Sequence, residues 1–164
     1  MAKNKEVKTN AMRILEREKI PFSHYTYECE EFIDGIQIAD KLSLPYEKVY
    51  KTLVTVGNSK NYFVFVIPIA EELDLKKAAK SVGEKSVAMI HVKDINSITG
   101  YIRGGCTAIG MKKQFRTVVH ITATNFETIL FSGGKIGFQV EVSPEDLKKI
   151  VRYEIADVVI ESEE

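Results

Sequence analysis

The sequence predicts a mixed α+β fold in one domain spanning residues 1–164, and three observations carry that expectation. Helix-period and strand-period segments are interleaved without regular alternation. Two pairs of strand-like segments are joined by short turn signals, GNSK and SGGK, as in hairpins. The 164 residues, 45% hydrophobic and 28% charged, have the balance of an ordinary globular domain. A chain of that size buries roughly two-thirds of its surface on folding. A doubly wound parallel sheet does not fit, because hairpins stand where crossovers would be needed.

In chain order, residues 5–19 read as a helix, with Val7, Ala11, Ile14 and Leu15 on one face and Pro21 closing it. FSHYTYE is a short strand with Phe22, His24 and Thr26 on one side and Ser23, Tyr25 and Tyr27 on the other. Residues 34–42 read as a second helix, and VYKTLVTV and NYFVFVI as the strands of the first hairpin. DLKKAAKSVG is a helix that turns Leu75, Ala78, Ala79 and Val82 inward and ends at Gly83, a left-handed cap. A strand at 87–89, a helix over 92–98 and the loop GYIRGGCTAIGMKK follow. TILF and IGFQVEV make the second hairpin. SPEDLKKIV is a helix that Ser143 caps, with Pro144 at its first position and Asp146 completing the box. ADVVI is read as the last strand and ESEE as a solvated tail.

Composition excludes several function classes. Lys+Arg and Asp+Glu balance at 23 each, so nucleic-acid contact must come from a local patch such as Lys76, Lys77 and Lys80 or Lys112, Lys113 and Arg116. A solvated helix face explains the first cluster equally well. The start, MAKNKEVKTNAMRIL, holds no apolar core of signal-peptide length, and YFVFVIPIA is too short to span a bilayer. A cytoplasmic protein with no membrane partner is expected. Two cysteines, Cys29 and Cys106, make neither a disulfide framework nor a four-ligand zinc site, and no metal or cofactor is expected.

Lys51 is the most informative residue, since it interrupts an apolar strand on the face it shares with Leu53 and Thr55. Its ammonium either snorkels to water on an edge strand or points into a polar cavity, where it can hold a phosphate or a developing oxyanion. Gly104 and Gly105 permit backbone that turns amides toward a ligand, although a plain tight turn explains them too. The spacing is not that of a P-loop. Ser132, Gly133 and Gly134 carry the same two readings. Cys106 has no companion base, because His24, His91 and His120 are scattered, and it is expected to be a small packing residue under the loop.

These pieces together resemble the YbaK/EbsC family of aminoacyl-tRNA deacylases, which are similar to the editing domain inserted in bacterial prolyl-tRNA synthetases. The matching motifs are TNAMRIL and IPF, KTLV, LKKAAKSVG, GYIRGG with IGMKK, and SGGKIGFQVEVSPEDL, in family order over about residues 8–159. The resemblance implies a mixed, partly barrel-like sheet flanked by helices. It also implies hydrolysis of the ester between a mischarged amino acid and tRNA, typically Cys-tRNA(Pro), possibly also Cys-tRNA(Cys), in contact with the tRNA 3′ end and in transient complex with prolyl-tRNA synthetase. The family's essential lysine falls on Lys51 and its pocket threonine on Thr52. Its glycine loop falls on Gly104 and Gly105, its Ser-Gly-Gly turn on Ser132, Gly133 and Gly134, and its pocket aromatics on Tyr27 and Phe32. The family loop commonly carries a proline where this chain has Ala108. In the cysteine-specific branch the substrate's own thiol is the nucleophile, so the protein need only position it and stabilise the oxyanion. Three alternatives remain at this point: water-mediated deacylation of another small amino acid such as alanine, a binding module that recognises charged tRNA or a synthetase without turnover, and a cysteine-dependent hydrolase using Cys106.

Overall fold

The computed structural model describes residues 8–28 and 33–161. Among these residues five α-helices, α1 (Asn10–Arg17), α2 (Gly35–Leu42), α3 (Leu75–Ser81), α4 (Ile95–Thr99) and α5 (Pro144–Leu147), alternate irregularly with eight strands. The strands are β1 (Phe22–Thr26), β2 (Tyr50–Gly57), β3 (Tyr62–Pro68), β4 (Val87–Met89), β5 (Arg116–His120), β6 (Ile129–Ser132), β7 (Phe138–Val142) and β8 (Tyr153–Ala156). They form a three-stranded antiparallel sheet, β1-β7-β6, and a five-stranded mixed sheet, β4-β2-β3-β5-β8. The fold is mixed α+β as the periodicities indicate. The two sheets meet through one parallel bridge, Val49 to Leu130, and do not close into a barrel.

β3 lies at the centre of the large sheet, and its near-continuous apolar run is what a strand covered on both faces requires. Phe63, Phe65 and Ile67 pack under α3 with Ala78, Ala79 and Val82. Val64 and Val66 face the other way, into a core built from Met12 and Leu15 of α1, Tyr50 and Val54 of β2, and Phe131, Val140 and Val142 of the small sheet. Each buried Val, Leu, Ile, Phe or Met among them contributes roughly 1.5–3 kcal/mol by leaving water. A third cluster, Ala39, Val49, Ile69 and Leu130, seats α2 on the outer face of the small sheet.

Local chemistry sets the boundaries. The Thr9 hydroxyl accepts from Met12 N–H at 3.1 Å and starts α1 at Asn10; the part of the expected helix before residue 8 lies outside the described residues. Gly83 does take a left-handed φ of 71° beyond α3. Leu75, by contrast, is exposed and not part of the α3 core face, because it sits in the first turn beside the Asp74 cap. The helix expected over 143–151 is shorter: Ser143 caps it, but after Leu147 the chain turns, with Val151 N–H reaching back to Leu147 O.

Two strands depart from expectation. β5 is a central parallel strand between β3 and β8; the sequence shows a strand-like segment at His120 but sets no bounds for it. The last strand is Tyr153–Ala156 rather than the ADVVI run; of that run Val159 makes only an isolated bridge to Leu73, while Val158 turns into the α3 core. No helix among the described residues is long and apolar enough to cross a membrane.

Candidate functional site

β2 has a continuous neighbour along one side and an interrupted one along the other. It pairs with β3 throughout, from Tyr50↔Pro68 to Val56↔Tyr62. On the other side Val49 bridges Leu130 of β6, and Thr55, Val56 and Gly57 pair with β4. Residues 51–53 have no ladder partner there among the described residues. Alternation fixes what the gap exposes. Val49 O accepts from Ile69 N–H at 2.9 Å on the β3 side, and Val54 O accepts from Ile90 N–H at 3.2 Å on the other. The peptide groups of Thr52, two residues from Val54, therefore point into the gap.

The gap opens into a cavity of about 530 Å³. Because the strand edge is bare, residues of both faces line it: Lys51 and Leu53 of one, Tyr50, Thr52 and Val54 of the other. The opposite wall is the glycine-rich loop, through Arg103, Gly104 and Cys106, and Ser132 and Gln139 belong to the small sheet. The start of α2 forms a third side. There Asp34 and Gln37 cap each other reciprocally, Gln37 N–H to Asp34 Oδ1 at 2.9 Å and Asp34 N–H to Gln37 Oε1 at 3.0 Å, so that wall is fixed.

Lys51, Thr52, Gly104 and Ser132, four of the residues singled out in the sequence, thus line one cavity. Gly105 does not line it. Its N–H donates to Ile102 O at 2.9 Å, and a Cβ there would lie 3.0 Å from Lys135 Cα and 3.2 Å from Ile136 N. The expectation that both glycine amides face a ligand is corrected in this respect: Gly105 is bare so that the two loops can touch. Gly104 has a φ of 87°, in the region that favours glycine, and is the loop glycine on the cavity wall. Gly133 and Gly134 sit behind Ser132, against Phe138 and against Ala11 and Tyr101 respectively. Ser132 Oγ accepts from Gly134 N–H at 3.2 Å, which leaves its own proton to donate. Tyr27 continues β1, its N–H bonded to Gly137 O at 3.0 Å, and is not among the lining residues. Phe32 lies outside the described residues.

Electrostatics separate the two reactive side chains. Burial lowers the pKa of Lys51, opposed by the nearby carboxylates of Glu72, Asp34 and Glu71, and among the described residues Nζ has Ile69 O, at 3.4 Å, as its one acceptor. The ammonium is half-buried and under-solvated, ready for an anionic oxygen. Burial pushes the Cys106 thiol up to about 11, with a hydrogen bond from Thr99 opposing it. At neutral pH only about one such thiol in ten thousand is ionised, far below an ordinary cysteine. Cys106 packs against the main core, as a filler would.

The basic patches are partly spent inside the protein: Lys77 pairs with Asp157 at 3.1 Å and Arg116 with Glu154 at 2.7 Å. Among the described residues no group of His, Cys, Asp or Glu could hold a metal ion. Sequence reasoning missed Gln139, Ile69 and the α2 start. Gln139 had one visible signal, a polar residue at the strand position that repeats at Glu141 in FQVEV.

Comparison with known proteins adds three findings. A family model described as the aminoacyl-tRNA editing domain matches residues 34–150. A protein of Enterococcus faecalis that carries the name Cys-tRNA(Pro)/Cys-tRNA(Cys) deacylase EbsC is 44% identical over 160 residues, 96% of this chain and 98% of that protein. Among solved structures, a protein described as a trans-editing enzyme for prolyl tRNA synthetase superposes with a TM-score of 0.79 at 18% identity, over 95% of this chain and all of that one. The hypothetical protein APE2540 superposes with a TM-score of 0.81 at 19% identity, over 90% of this chain and 97% of its own. At such identities the two structures establish the fold.

Proposed function

Because this chain belongs to the aminoacyl-tRNA editing family, we propose that it hydrolyses the ester of mischarged aminoacyl-tRNA, with Cys-tRNA(Pro) as principal substrate and Cys-tRNA(Cys) as a second. The carrying observation is that Lys51, Thr52, Gly104 and Ser132 converge on one cavity that holds no histidine among the described residues, and whose carboxylate, Asp34, is engaged in the α2 cap.

The chemistry follows from what the cavity offers. The cysteinyl thiolate attacks its own ester carbonyl; a C–S bond forms and the carbonyl oxygen becomes an oxyanion. Collapse breaks the bond to the ribose 3′-oxygen, which takes up a proton and leaves with the tRNA. The strained thiolactone left behind is opened by water. A thiol supplies its own nucleophile at neutral pH, so the protein's part is positioning and charge stabilisation. Lys51 Nζ is the cation for the oxyanion or for the terminal phosphate. Ser132 and the amide of Gly104 are neutral donors beside it, and the bare edge at Thr52 adds a backbone donor and acceptor. Cys106, half-buried on the cavity wall, takes no part, since its thiol stays protonated at neutral pH.

Charge balance across the chain argues for weak, salt-sensitive contact with tRNA itself. We therefore assign the choice of tRNA to a transient complex with prolyl-tRNA synthetase. Two measurements test the reading. Deacylation of Cys-, Ala- and Ser-tRNA should be fastest for Cys-tRNA; an ester half-life unaltered by the protein would refute catalysis, and preference for Ala-tRNA would replace the thiol by water. Adding the synthetase should sharpen discrimination between proline and cysteine tRNA, and unchanged selectivity would remove the partner.

A further inference from the structure

Two polar residues sit on the same face of β7, two positions apart, and are treated in opposite ways. Glu141 is surrounded by donors: Tyr25 Oη at 2.8 Å, Lys48 Nζ at 2.9 Å and Thr128 Oγ1 at 2.5 Å. Gln139 is more deeply buried, only 4% exposed, yet its Oε1 has no hydrogen-bond partner. It is the single buried side-chain polar atom among the described residues left in that state. An orphaned acceptor costs about 1–3 kcal/mol, so the fold bears an expense here that it avoids two residues along the strand. Neither cross-strand neighbour bonds to it: Tyr25 donates to Glu141 instead, and Ser132, directly opposite with a hydroxyl proton to give, makes no hydrogen bond to Oε1. Gln139 lines the same cavity as Lys51, opposite the bare edge of β2.

We propose that Gln139 Oε1 accepts a hydrogen bond from the α-amino group of the esterified amino acid, and so fixes which way the aminoacyl end enters. The inference rests on the deacylase reading above and deepens it. A cysteinyl ester has one strong donor, its amino group; the thiol is a weak donor and the ester has none. The ribose hydroxyl belongs to the bulkier nucleoside, which must stay on the exposed side of the cavity near half-buried Lys51 and Thr52. Only the small aminoacyl end reaches a residue as buried as Gln139. A neutral amide also suits a group that titrates near neutrality, because it accepts from the amine and the ammonium alike. With the amine held at Gln139 and an ester oxygen at Lys51, the carbonyl carbon lies between two fixed points, and rotation about one bond brings the thiol to it.

The test compares two amide-linked adenosine analogues, cysteinyl and 3-mercaptopropionyl, which differ only by the amino group. Calorimetry of the wild-type protein should show the cysteinyl analogue binding at least about tenfold more tightly, the yield of one good hydrogen bond. Gln139→Leu should bind both equally, at the weaker level, with its thermal midpoint kept or raised because the orphaned atom is gone. Gln139→Glu retains an acceptor and should retain the preference; it serves in place of the leucine variant if that one does not fold. A preference that survives in Gln139→Leu overturns the proposal, as does a wild type that binds neither analogue or both alike. Turnover of Cys-tRNA is measured in parallel. An inactive wild type whose amine preference collapses in Gln139→Leu leaves the assignment standing and removes the deacylase reading; active wild type with an unmoved preference does the reverse.

Discussion

The two halves of β2 share one backbone and one partner, β3, yet they do different work. From Thr55 to Gly57 the strand is hydrogen-bonded on both sides, and Thr55 is fully buried with its hydroxyl closed onto Phe63 O at 3.1 Å. From Lys51 to Leu53 the second neighbour is missing, all three side chains are half-exposed, and a cation sits among apolar residues. The first half is ordinary sheet; the second is where a ligand can substitute for a strand. A site is made here less by adding reactive groups than by withholding a neighbour from three residues.

That contrast can be broken most sharply at Lys51. Lys51→Ala should lower kcat/KM for Cys-tRNA by at least about 100-fold, the scale of losing an oxyanion partner, while urea unfolding stays near wild type. Retained turnover would dissolve the distinction between the halves. Gly105→Ala should come next. Its Cβ meets backbone of Lys135 and Ile136, which cannot swing aside, so a loss of about 1–3 kcal/mol in stability and a several-fold drop in turnover are expected. Thr55→Val, in the doubly paired half, should cost about 1 kcal/mol in denaturation and leave turnover unchanged. Cys106→Ser should change kcat/KM by less than about twofold, and alkylation of the wild type should be slow at neutral pH. A dead serine variant would restore Cys106 as the nucleophile.

A fifth expectation concerns pH. Burial raises the Glu141 pKa, but hydrogen bonds from Thr128, Lys48 and Tyr25 outweigh it, so the net value lies below the ordinary carboxylate. A depressed folded-state pKa contributes stability above the unfolded value, near 4.3, and loses it as pH falls through the folded one. Glu141→Gln should therefore flatten the stability curve below about pH 4 and leave a lower plateau above it, as read by chemical denaturation across that range.

How much of this could be read in advance depends on whether the governing interaction is local. The β2–β3 hairpin, the left-handed Gly83 and the Ser143–Pro144 start are short-range, and the sequence displays them. β5 is different: as a parallel strand between β3 and β8 it is defined by partners about fifty and forty residues away, and RTVVH alone has no turn to announce it. Lys51 stood out because a charge in an apolar strand is locally anomalous. Gly104 and Gly105 were read as a pair, and only the contact of Gly105 with Lys135 separates their tasks. Gln139 looked like any outward polar residue, since its missing partner is a property of everything around it.

The vacancy along β2 also acts as a gauge. Three residues of extended chain span about 10 Å, and both ends are stoppered, by Leu130 on one side and Ile90 on the other. A foreign polypeptide seeking an edge to grow on needs a longer run than that, so this opening does not invite fibrils as an outer rim would. What it admits is a visitor about one amino acid long.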